Sequence, residues 1–198
     1  MAGFVFITYS FIPEAYQKEK DFLFTFINLL VLILVFPVTI YNLTQGDQTT
    51  GGAKAADFFL GGPLAKILNL IGIDAFSHQN ILSFREYDGT LSRVYISQGC
   101  SGLYSVGVFI AAFTALVATE SRRLDTEFLL LLILGIITAY FANLIRMTII
   151  VAVGHYQGPQ ALIWTHENIG WVIFLLWISI FWNIILRYGF LEIGNNKD

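Results

Sequence analysis

Four long apolar runs constrain this chain more than any other feature. A helix needs roughly 20 apolar residues to cross the hydrocarbon core of a bilayer. Phe22–Tyr41 and Asn168–Leu186 carry no charge. Gly102–Thr119 carries none either, and its uncharged stretch begins at Val94. Phe128–Gly154 contains a single charge, Arg146. Of the 198 residues, 56% are hydrophobic and 13% charged, and the mean hydropathy is +0.68. Soluble domains average about 25% charged residues, and one this apolar would expose an aggregating surface. The expected fold is an all-α integral membrane protein, a single membrane domain over residues 1–198, with about four transmembrane helices at 22–41, 102–119, 128–154 and 168–186.

Lys and Arg in short flanks set the orientation. Lys18 and Lys20 precede the first span, Arg122 and Arg123 lie between the second and third, and Arg187 and Lys197 follow the fourth. Four spans place these segments on one side, the cytoplasm, with both termini inside. The opposite side receives the long segment Asn42–Ser101 and the short loop His155–Glu167. Met1–Ile12 is apolar but short, with no basic residue before its apolar part. It reads as an interfacial start and not as a signal peptide. Residues Gly194–Asp198 read as a frayed tail.

The outer segment has its own pattern. Pro63 suits the first position of a helix, and Leu64, Ile67, Leu68 and Ile71 then follow helical spacing. These predict a short interfacial helix lying in the membrane surface. Ile81–Tyr87 and Thr90–Ile96 are strand-like runs joined by Asp88-Gly89, a signature of a tight hairpin. The second run leads straight into Gln98-Gly99-Cys100-Ser101-Gly102.

Several function classes fall away. No basic run resembles a nucleic-acid footprint, so no nucleic-acid partner is expected. Cys100 is the only cysteine, which rules out an internal disulfide and a Cys-rich metal site. Neither a metal nor a cofactor is expected.

Three residues converge on the outer face. Cys100 lies at the mouth of the second span between Gly99 and Gly102, where the backbone turns sharply or admits a substrate; Ser101 adds a hydroxyl. A cysteine in such a place is most often a small apolar residue. Arg146 is the only charge inside a span. At about 1.5 Å per residue it sits roughly 27 Å above Phe128, where it either faces a partner or a wet cavity or snorkels to headgroups. Asn143 shares its helical face. His166 opens the fourth span, and by itself reads as an interfacial residue, as Trp164 and Trp171 do. His78 and His155 read as loop residues, and Glu167 either orients His166 or faces water. Cysteine and histidine make a nucleophile and a base, and an arginine lowers a thiol pKa or holds an oxyanion. Together they allow acyl transfer through a thioester.

At these residues the sequence resembles the exosortase/archaeosortase family. The resemblance rests on Cys100-Ser101-Gly102, on Asn143-Leu144-Ile145-Arg146, and on His166 followed by Gly170-Trp171. It runs from about Val94 to Leu186. It implies a multi-pass enzyme of the plasma membrane with its site on the extracytoplasmic face, a cysteine protease acting as a transpeptidase. The substrates implied are membrane-anchored proteins with a C-terminal sorting signal: a short motif, a transmembrane helix and a basic cluster. The acceptor implied is a membrane lipid. Carried over, Cys100 is the nucleophile, Arg146 and His166 complete the site, and Ser101, Gly102 and Asn143 support it or bind substrate. Many bacterial members have a basic residue soon after the cysteine motif, where this chain has Leu103-Tyr104. They are also longer, so four spans suit a compact, archaeal-type member.

Two other classes compete. An intramembrane protease of di-aspartyl or metal type lacks its Asp pair or HExxH in a span, and a serine type would rest on Ser101. A non-enzymatic transporter or assembly subunit would use Arg146 to line a path, but the paired helix breaks and internal symmetry common in transporters are absent from the sequence.

Overall fold

A computed structural model describes residues 16–35, 57–96, 100, 102–119, 126–168 and 170–184. The expectations for Met1–Ile12, for Ser101 and for the tail fall outside the described residues. The elements in chain order are α1 (Gln17–Leu30), continued by a π-helical turn Val31–Val35, a π-helical turn Asp57–Gly61, and α2 (Gly62–Leu70). Strands β1 (Ala75–His78), β2 (Ile81–Arg85) and β3 (Leu91–Tyr95) follow, and then α3 (Leu103–Thr119), α4 (Thr126–Gln157), α5 (Pro159–Asn168) and α6 (Gly170–Ile184). The chain groups into two compact units, Met1–Asp47 with Val106–Ile136, and Gln48–Ser105 with Ile137–Asp198.

In the first unit α3 is buried along Phe109, Ala111, Phe113, Ala115 and Val117. Phe113 stacks on Phe109 and on Phe128, with ring centroids 5.5 and 5.0 Å apart. In the second unit one core joins Leu60, Leu64 and Leu68 to Leu82, Phe84 and Ile96 of the sheet and to Leu144, Met147, Ile150 and Val151 of α4, and Cys100 belongs to it.

Among the described residues two helices are long and apolar enough to cross a membrane, Phe128–Gln157 and Pro159–Ile184, the second made of α5 and α6. Only 22% and 12% of their most apolar windows are buried inside the protein, whereas the core helix of a soluble domain is mostly buried. Leu129, Leu130, Ile133, Leu175 and Leu176 all face outward. The expected first and second spans correspond to α1 with its π-helical turn and to α3, whose 17 residues meet only the lower end of the spanning range.

Four features of the fold differ from those expected of the sequence. The fold is not purely helical: an antiparallel sheet of order β1-β2-β3 stands in the segment between α2 and α3. β1 was not foreseen, and His78, expected in a loop, ends it. The β2–β3 hairpin forms where expected, yet not around a two-residue turn. That turn needs positive φ at both central positions, and only Gly89 has it, at 90°. Instead Glu86 N donates to Thr90 O at 2.8 Å, while Thr90 donates through N and Oγ1 to the Asp88 carboxylate. These bonds hold the exposed Asp88 carboxyl below its usual pKa.

The predicted interfacial helix forms as α2, but most of its stripe faces inward: Leu64 and Leu68 are fully buried and Ile67 packs against the same core, while Ile71, just past the helix end, is 50% exposed. Lastly, the predicted loop His155–Glu167 is helical for most of its length. α4 runs on to Gln157 and stops at Gly158, whose φ is 85°. Gly158 N closes on Gly154 O at 2.9 Å, and Pro159 opens α5, the glycine-stop and proline-start pattern of consecutive helices. His155 therefore lies in the last turn of α4 and His166 in the last turn of α5.

Candidate active site

Cys100 sits just ahead of α3 and is 8% exposed. Its carbonyl oxygen accepts a hydrogen bond from Asn143 Nδ2 of α4 at 3.1 Å. Gly102 makes this approach possible. Its φ is 81°, and a Cβ there would stand 2.8 Å from Asn143 Cγ and Nδ2. No side chain fits that space, and only glycine adopts that backbone readily.

The Cys100 thiol faces His166. Sγ and Nε2 are 3.9 Å apart, across 66 residues of sequence. His166 is half-buried, and its neighbour Thr165 is 3% exposed, while Trp164 and Glu167 face outward. The end of α5 thus turns the imidazole inward and leaves Glu167 in the surroundings.

Arg146 follows Asn143 by three residues on α4, so the two share a face. Its guanidinium lies close enough to the Cys100 thiol for the two to interact electrostatically. It also packs on the first turn of α6: a Cβ on Gly170 would stand 3.4 Å from Arg146 Nε. Gly170 belongs to the motif that follows His166, and its lack of a side chain makes room for Arg146, a role that local sequence pattern does not reveal.

Cys100, Gly102, Asn143, Arg146 and His166 therefore come together within the second unit. His78 and His155 do not join them. His155 Nδ1 contacts the carbonyl oxygen of Arg85, and Tyr87 N donates to His155 O at 2.9 Å. That histidine fastens the hairpin tip to α4.

Two buried atoms in the site have no hydrogen-bond partner among the described residues, Asn143 Oδ1 and Arg146 Nε. Asn143 is 5% exposed. Buried polar groups are nearly always paired, so an orphaned acceptor and an orphaned donor three residues apart suit a ligand that offers both, as a peptide group does.

A family model described as Transmembrane exosortase (Exosortase_EpsH) matches residues 19–183, which include every residue of this site. The chain belongs to the transmembrane exosortase family, and it is a membrane protein of a transpeptidase and protease class that generally relies on a cysteine. No curated protein and no solved structure matches it.

Proposed function

We propose that this protein is a cysteine-dependent membrane transpeptidase that cuts a C-terminal sorting signal from exported proteins and passes the new C-terminus to an acceptor, a membrane lipid. The 3.9 Å approach of Cys100 Sγ to His166 Nε2 carries this reading, because it sets a nucleophile beside a base. Such contacts are often long without substrate and tighten in the complex.

His166 takes the thiol proton and the thiolate attacks the scissile carbonyl carbon. Arg146, whose Nε–H has no partner among the described residues, holds the charge that develops on the carbonyl oxygen. The C–N bond then breaks, and the imidazolium gives its proton to the departing amine of the membrane-helix fragment. A thioester remains on Cys100. An acceptor hydroxyl or amine loses its proton to His166, attacks the thioester and frees the thiol. Asn143 fixes the main chain at Cys100 throughout. The basic flanks Lys18, Lys20, Arg122, Arg123 and Arg187 support cytoplasmic termini, with the site on the extracytoplasmic face.

The test is a co-expressed secreted reporter with a C-terminal helix and basic cluster. Wild-type protein yields a truncated, membrane-held reporter. Cys100→Ala leaves it uncut while the variant still accumulates in the membrane. Undiminished processing by Cys100→Ala contradicts the proposal.

A further inference from the structure

The two edges of the small sheet are treated differently. In an antiparallel ladder, directly opposed residues alternate between those that exchange main-chain hydrogen bonds and those that do not. Between β1 and β2, Arg85 N donates to Asp74 O at 2.9 Å. The register of Ala75 opposite Phe84 then turns the main-chain groups of Ala75 and Ser77 away from β2, to the outer edge. At Ala75 a side chain caps that edge. Asn69 Oδ1 accepts from Ala75 N at 3.0 Å and Asn69 Nδ2 donates to Ala75 O at 2.7 Å. Ser77 Oγ is bonded to Asp57.

The β3 edge is open. Glu86 N donates to Thr90 O and Ile96 N to Asn80 O, and the register between them pairs Phe84 with Ser92 and Leu82 with Val94. Residues 90, 92, 94 and 96 therefore turn their main-chain groups to β2. Leu91, Arg93 and Tyr95 turn theirs outward, and all three residues are exposed. Among the described residues no strand pairs with this edge. Proteins usually blunt or cover such an edge because it is a template for another chain.

The edge leads to the nucleophile. Cys100 is five residues beyond Tyr95, no more than about 18 Å along the chain, and it shares its core with Leu82, Phe84 and Ile96 of the sheet. At the Cys100 end waits the orphaned buried acceptor, Asn143 Oδ1. We infer that the substrate segment on the exported side of the cut binds as an added β-strand along the Leu91–Tyr95 edge of β3. This rests on the proposed function. Strand addition supplies affinity through the main chain, so one site accepts many exported proteins that share little sequence. It also imposes a period of two on the substrate, because only alternate residues face the edge.

Proline scanning tests this in the wild-type protein. The probe is a reporter whose cleavage has first been shown to need Cys100; a reporter cut equally by Cys100→Ala tells against the function and not the docking. Single prolines, which lack the N–H, are placed one at a time over the eight residues upstream of the cut. Processing is expected to fall at least tenfold at alternate positions and by less than about twofold between them. On the enzyme, Arg93→Pro removes an outward N–H and no bond to β2. It is expected to lower processing at least tenfold while the protein accumulates and Cys100 still reacts with N-ethylmaleimide at the wild-type rate. Proline effects without alternation, or wild-type processing by Arg93→Pro, overturn the inference. If Arg93→Pro does not accumulate, the substrate scan decides.

Discussion

Asn143 Nδ2 donates to the carbonyl oxygen of Cys100 at 3.1 Å, which ties the middle of α4 to the residue that carries the thiol. The bond exists because Gly102 has no side chain to fill the space it crosses. Gly102→Ala therefore meets two costs: a left-handed backbone, at roughly 1–2 kcal/mol, and a Cβ 2.8 Å from the Asn143 amide. Thermal unfolding of the detergent-solubilised variant should shift downward and processing should fall at least tenfold. Wild-type values for both would mean that the Gly102 turn does not hold the site.

Arg146→Lys is expected to keep the protein in the membrane and lose most processing. Gly170 leaves room for a guanidinium whose Nε has no hydrogen-bond partner among the described residues. An ammonium is a point charge and does not reproduce that planar fork. Reporter cleavage by the lysine variant at the wild-type rate would reduce Arg146 to a residue that snorkels to headgroups.

The two histidines at helix ends should separate cleanly. His166→Ala should lower processing about 100-fold or more, the lower range for losing a general acid–base group. It should also slow thiol alkylation of Cys100 near neutral pH. His155→Ala loses a contact that fastens the hairpin tip, worth about 1 kcal/mol, and should retain processing. Rate measurements on the two variants in parallel decide the matter, and a dead His155→Ala beside an active His166→Ala would reverse the assignment.

Topology is tested independently of chemistry. In a Cys100→Ala background, single cysteines replace Thr50 or Thr126. With both termini inside, an impermeant thiol reagent on intact cells should label position 50 and spare position 126. The opposite pattern would invert the orientation.

Much of the candidate site was legible because its residues are chemically unlike their surroundings. Cys100 is the only cysteine and Arg146 the only charge in an apolar run, so both stand out without any structure. The hairpin was legible from Asp88-Gly89 between two strand-like runs. Other features were hidden. Ala75–His78 is four residues long and lacks the β-branched enrichment that marks a strand; pairing with β2 makes it one. The helical α5 was hidden by its polar composition, although Gly158-Pro159 announced the break that starts it. The α2 stripe had the right spacing, but spacing alone does not say whether an apolar face meets lipid or a sheet. The pairing of Asn143 with Cys100 depends on a contact across 43 residues, which local pattern does not encode.

If Cys100 acts as proposed, it carries the substrate as a thioester. Hydroxylamine resolves thioesters rapidly and leaves a hydroxamate on the acyl carbon. Membranes holding the protein and its reporter are treated with hydroxylamine, and the new C-terminus is read by mass spectrometry. A C-terminal hydroxamate with the wild-type protein and none with Cys100→Ala is the predicted result. A reporter released only as the free acid, equally with both proteins, would contradict it.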